Sequence, residues 1–171
     1  MHEHAVRAIS RALSFGVHGL PLMGTGDWND GMNLVGEKGR GESVWLAFFL
    51  YHVLVRYSAV ADICEDTPFA EKCRAEAARL KVSIEEHGWD GEWYRRAYFD
   101  DGTPLGSRNN PECAIDAISQ SWAVLSGAAD SKRSRLAMDA LDRHLVHRND
   151  ALVALLAPPF DKSPLNPGYI K

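Results

Sequence analysis

Apolar residues recur along this chain at helical spacing, broken by glycine-rich and proline-rich stretches. Ala5, Ile9 and Leu13 fall at intervals of four and predict an amphipathic helix over residues 3–15, stopped by Gly16. Residues 42–65 are apolar nearly all round, with Val44, Trp45, Leu46, Phe48, Phe49, Leu50, Val53, Leu54 and Val55. That pattern predicts a helix buried between neighbours. Thr67-Pro68 reads as an N-cap followed by proline at the first helical position. Phe69, Cys73, Ala77, Leu80 and Ile84 then trace one stripe of an outer-layer helix up to His87-Gly88. The aromatic run 93–99, the turn chemistry of Asp100-Asp101-Gly102-Thr103 and Pro104-Leu105-Gly106 predict a small β-hairpin inserted among helices. After Asn109-Asn110-Pro111, the stripe Ile115, Ile118, Trp122, Leu125 predicts a helix ending at Gly127. Asp130 is placed to cap another helix through Leu136, Ala140, Leu141 and Leu145. The stretch 157–169 is proline-rich and irregular, yet carries Phe160, Leu165 and Tyr169 for packing.

A buried helix, an outer helix, a long loop and a second pair point to an all-α chain of stacked hairpins. The loops are too long for a simple four-helix bundle, so an α/α toroid with a small β-hairpin insertion is expected. The 171 residues are enough for one domain with a sizeable core. With 46% hydrophobic and 25% charged residues, the composition is that of a folded, water-soluble protein. The net charge of -4 is interspersed, without the basic stripe that a phosphate backbone requires, so nucleic acid is not an expected partner. No apolar run reads as the roughly 20 residues of a bilayer span, and Met1-His2-Glu3-His4 is not a signal pattern. The segment is expected to make no membrane contact and to lie in, or face, the cytoplasm, its parent being either free-standing or anchored in the inner membrane. Cys64, Cys73 and Cys113 have neither disulfide nor zinc-ligand spacing and read as reduced, mostly buried thiols. His144 and His147 read as sharing a helix without an acidic partner motif, and no metal site is expected.

Chemistry concentrates in residues 18–34, between two helices. Asp27 and Asp30 flank Trp28 and Asn29: an aromatic face to stack on a sugar ring, an amide to bond hydroxyls, and a carboxyl beside an indole. A glycosidic oxygen leaves poorly until protonated, and glycoside-cleaving enzymes supply a carboxylic acid of raised pKa against an apolar wall. Asp30 beside Trp28 meets that description. Residue types alone favour a plainer reading, in which Asp27 and Asp30 cap the turn through backbone amides. Gly24-Thr25-Gly26 and the glycines from Gly36 to Gly41 neither follow a predicted strand nor complete a phosphate-loop spacing, which argues against a nucleotide site. Of Arg95 and Arg96, adjacent on an extended segment, at most one faces the site. Gln120, one turn from Asp116, stands either to line a pocket or to bridge to a neighbouring helix.

The string from Gly19 to Asn33, GLPLMGTGDWNDGMN, resembles the catalytic motif of glycoside hydrolase family 94, the inverting sugar phosphorylases, and within it most resembles the C-terminal domain of the cyclic β-1,2-glucan synthases. The likeness continues through Gly41 to Leu46, Trp93 to Gly102, Ile118 to Gly127 and Pro158 to Lys162, and so spans almost the whole chain. The resemblance reverses the plainer reading of the loop. It implies an (α/α)6 barrel, of which residues 1–171 are a fragment supplying roughly half, with no second domain. It implies Asp30 as general acid and Trp28 as a sugar contact, with Asp27 and Asn29 shaping the pocket. Arg95 and Gln120 are added as candidate substrate-binding residues. The implied reaction is phosphorolysis of a β-glucan oligosaccharide: phosphate attacks the anomeric carbon while Asp30 protonates the leaving oxygen, giving α-glucose 1-phosphate. Phosphate is a co-substrate, and no cofactor is implied. Family residues upstream and downstream of the chain are missing from it, so weak or absent activity and self-association through exposed barrel helices are expected. Two rivals stand: an inverting glycoside hydrolase of the α/α toroid class, and a catalytically incomplete segment that only binds glucan through Trp28, Trp93 and neighbouring aromatics.

Overall fold

The computed structural model describes all 171 residues: five α-helices and several very short strands. α1 (His2–Ala12), α2 (Val44–Ile63), α3 (Thr67–Ser83), α4 (Ala117–Leu125) and α5 (Ser131–Leu145) carry most of the ordered backbone. α2 and α3 form one helical hairpin, turned at Glu65 in the left-handed region (φ 59°); α4 and α5 form a second, turned at Gly127 (φ 72°). α2 packs against both α3 and α4, which makes it the central helix. Its residues Val44, Ala47, Phe48, Leu54 and Ala61 join Ala70, Cys73, Ala77, Leu80 and Ile84 in the main core.

Several boundaries differ from the sequence reading. The N-cap of α3 is Asp66, whose carboxylate accepts from the Phe69 amide, so Thr67 and Pro68 are its first two residues. α3 ends in a π-turn, Ile84–Gly88. α4 starts only after the strand β4 (Ile115–Asp116), and its buried positions are Ser119, Gln120 and Ala123, whereas Leu125 is exposed. The apolar stripe marks the covered face only in part: Ile115 is buried in β4 and Trp122 packs against the main core, while Ser119, Gln120 and Ala123 are the most covered positions of the helix. Asp130 caps α5 as expected, accepting from the Lys132 and Arg133 amides. His147 lies beyond the end of α5, in a strand. Cys73 and Cys113 are buried, and Cys64 is exposed. By length and composition, α2 is long and apolar enough to cross a membrane, contrary to the sequence reading. Arg56 and Asp62 on it, and its place against α3 and α4, make it the core helix of this fold.

The predicted hairpin forms and acquires a third strand. β1 (Glu42–Ser43) pairs antiparallel with β2 (Ala97–Tyr98), which pairs with β3 (Pro104–Leu105). β4 pairs with β7 (Leu156–Ala157), and β5 (Val146–His147) with β6 (Leu152–Val153). β1 leads into α2 and β4 into α4. Both helices thus begin beside the segment that carries Arg96, where their N-caps, Ser43 and Asp116, converge.

Candidate active site

The loop between α1 and α2 is held from its buried side. Arg96 is completely buried and donates through both terminal nitrogens to the two oxygens of Asp27, each at 2.6 Å. The Asp27 side chain is fully covered as well. Ser43 donates to Asp27 Oδ2 at 2.6 Å and accepts from the Leu46 amide, so one hydroxyl ties the loop to the first turn of α2. Burial alone would raise the pKa of Asp27; the guanidinium, the hydroxyl and the Asn29 amide outweigh it and hold the carboxyl below the usual aspartate value.

Asp116 faces the same guanidinium from α4. Its Oδ1 accepts from the Ile118 amide at 2.8 Å, and its Oδ2 lies 3.5 Å from Arg96 Nε without a hydrogen bond, both atoms being buried and unpartnered. Burial dominates here and pushes Asp116 up to about 6, against the pull of Arg96. Folding therefore takes up a proton between the ordinary aspartate value of 3.8 and about 6, so the contribution of Asp116 to stability is greatest below that window and declines as pH rises through it. Asp116→Asn is expected to remove this decline. Chemical denaturation of both proteins from pH 4 to 7 should show the variant gaining relative to the wild type as pH rises; parallel curves would refute the assignment.

From Asp27 the order passes along the chain. The Asn29 amide donates to Asp27 Oδ1 at 3.0 Å, and the Gly31 amide to Asn29 Oδ1 at 2.9 Å, which starts the 3₁₀ turn Asp30–Met32. The turn-capping reading thus describes Asp27 and Asn29. The Asp30 carboxyl caps no amide and is exposed.

A strap from the end of the chain closes over this turn. The Ile170 amide donates to the Gly31 carbonyl, the Leu34 amide to the Pro167 carbonyl, and the Tyr169 amide to Asn33 Oδ1. Gly168 (φ 129°) makes the crossing possible, since a Cβ there would overlap Asn33 Oδ1. Glu112 anchors the strap, accepting from the Ser163 hydroxyl and from the Lys162 and Ser163 amides; these bonds, the hydroxyl first, bring its pKa down to about 2. The result is an open pocket of about 360 Å³ in which Trp28 and Tyr169, 52% and 71% exposed, accompany Asp30, with Leu155 and Ile170 as apolar wall. A larger cleft of about 610 Å³, between Phe15, His18, Arg40 and Tyr98, does not include Asp30.

Asp27, Trp28, Asn29 and Asp30 are thus brought together, while Arg95 and Gln120 are engaged elsewhere. Arg95 donates to the His87 and Trp89 carbonyls and pairs with Asp90 at 2.6 Å. Gln120 is buried and bonds both the amide and the carbonyl of Tyr94, as well as the Asp116 carbonyl, so it bridges α4 to the segment before β2. Sequence reasoning weighed Arg96 beside Arg95 and kept Arg95, read Tyr169 only as a packing residue, and gave Ser43 and Asp116 no role. The alternation of Tyr94, Arg96 and Tyr98, all buried, was the available signal for Arg96; Tyr169 offered none beyond being aromatic.

The model of the catalytic domain of the glycosyl hydrolase 94 superfamily matches residues 1–171. The chain belongs to glycoside hydrolase family 94. Among its relatives in family 94, it is 47% identical over its whole length to the cyclic β-(1,2)-glucan synthase NdvB of Rhizobium meliloti (strain 1021), of which it covers 6%. It is 38% identical to the solabiose phosphorylase of Paenibacillus borealis, over 92% of this chain and 21% of that one. The family 94 chain thus spans a small part of the relatives it matches. The family 78 rhamnosidase of Bacillus sp. GL1 superposes on 90% of the chain and 15% of its own with a TM-score of 0.65 at 20% identity, a likeness of fold alone.

Proposed function

We propose that this chain is part of one (α/α)6 catalytic domain of an inverting phosphorylase acting on β-linked glucans, with a preference for the β-1,2 linkage. The observation that carries the reading is the separation of the two loop acids: the Asp27 side chain is buried and fully engaged, whereas Asp30 is exposed in a pocket that Trp28 and Tyr169 also line. Asp30 protonates the glycosidic oxygen, Trp28 and Tyr169 stack on sugar rings, and Asp27 and Asn29 shape the turn. Arg95 and Gln120 serve the site by fixing the main chain around residues 87–94. Phosphate attacks the anomeric carbon from the opposite face; its oxygen forms the new bond as the old C–O bond breaks and the departing oxygen takes the proton from Asp30. Phosphate needs no base to become a nucleophile, whereas an inverting hydrolase needs a second carboxylate to activate water. Asp27 is unsuited to that task because each of its oxygens already accepts two hydrogen bonds and no water reaches it.

Phe49, Val55, Val60 and Ile63 of α2 and Val124 and Leu125 of α4 are exposed apolar side chains. They support placing the chain in a larger domain, or in self-association through these helices. The test is release of α-glucose 1-phosphate from β-1,2-glucooligosaccharides by the full-length protein, with and without phosphate. Product should appear only with phosphate. Free glucose released without it would make the enzyme a hydrolase, and binding without turnover would leave a glucan-binding module.

A further inference from the structure

We propose that Arg96 is the positioning residue for the general acid: clamped between the N-caps of α2 and α4, it fixes the Asp27 turn and through it the place of the Asp30 carboxyl. The inference rests on the proposed role of Asp30 as proton donor. The connection is short and continuous. Arg96 holds both oxygens of Asp27, Asp27 holds the Asn29 amide, and Asn29 holds the Gly31 amide, so residues 27, 29 and 31 are fixed in turn and Asp30 lies on the main chain between the last two. The far side of the guanidinium is defined by Asp116, 3.5 Å from Nε, and one Arg96 terminal nitrogen also reaches Ser43 Oγ at 3.3 Å. Gly106 keeps the backbone close, since a Cβ there would overlap the Arg96 main chain. The planar fork of arginine suits this task, because two parallel bonds set the carboxylate's orientation as well as its distance; lysine, a point charge, sets only the distance. Proton delivery needs the acid within about 2.6–3.2 Å of the leaving oxygen, so a small rotation of the turn should be felt first in that step.

The test separates proton delivery from general damage. From a 2,4-dinitrophenyl β-glucoside the leaving group departs as a stable phenolate and needs no acid, whereas the leaving oxygen of a glucan needs one. Phosphorolysis of both donors is to be measured in the full-length protein for wild type, Asp30→Asn and Arg96→Lys, with thermal unfolding alongside. Arg96→Lys is expected to cut kcat on the glucan about 100-fold, the scale of an ångström-sized misplacement, while changing turnover of the dinitrophenyl donor less than about threefold, the same selectivity as Asp30→Asn. Equal losses on both donors, or none on either, would overturn the positioning role. Should Asp30→Asn itself lack selectivity, the acid assignment falls first and the inference with it. Selectivity in Asp30→Asn without it in Arg96→Lys would overturn the inference alone. If Arg96→Lys does not fold, Asp116→Asn decides: it keeps the size of the side chain and the Oδ1 cap, and a selective loss of about tenfold supports the clamp, whereas wild-type behaviour on both donors refutes it.

Discussion

Methionine in place of Arg96 is expected to lower the unfolding free energy by about 3–5 kcal/mol, the cost of leaving a buried carboxylate without its partner. Asp27 would retain only Ser43 and the Asn29 amide, inside a site where its side chain meets no solvent. Asp116 would lose the guanidinium that draws it toward ionisation and would stay protonated to higher pH. Asp27→Asn combined with Arg96→Met should restore part of the loss, because a neutral amide costs less to bury without its partner than a carboxylate does. Chemical denaturation of the four proteins of that cycle measures the coupling directly. Additive losses would show that the pair contributes packing and little else.

The second large effect falls on activity. Asp30→Asn in the full-length protein should lower kcat/KM for glucan phosphorolysis by about 10³-fold, within the range general acids supply, and leave KM nearly unchanged. Asparagine occupies the same volume at an exposed position and caps no amide that aspartate caps, so stability should hold. Initial rates with saturating phosphate give both constants. Retention of more than about a tenth of the wild-type rate would remove Asp30 from the proton-donor role, and a raised KM at constant kcat would recast it as a sugar contact.

Much of this architecture was legible in the chain because it follows from local rules. The apolar girth of 44–63 announced a central helix, and Asp130 and Gly127 marked the turn of the second hairpin. Asp100-Asp101-Gly102-Thr103 marked the β2–β3 turn. The failures were also local in origin. Of four apolar residues at helical spacing, Ile115 to Leu125, the first belongs to a strand and the last is exposed, while Ser119, Gln120 and Ala123 are what the neighbouring segments cover most. Periodicity reports which residues could share a face, and says nothing of which face finds a partner.

At the site the division is sharper. Sequence by itself determined that the two acids, the indole and the amide come as one group within residues 18–34, since their adjacency is covalent. It also carried the family resemblance. Which acid is free was a tertiary matter. Asp27 and Asp30 are the same residue type three positions apart, and they differ because Ser43 and Arg96, the latter 69 residues downstream, reach one of them. The strap that brings Tyr169 to the pocket has the same character: Glu112 grips Ser163 across 51 residues and Asn33 takes the Tyr169 amide across 136. Local preference acts over one or two turns of chain, whereas the depth of a carboxylate and the charge beside it are set by whatever the rest of the fold brings there.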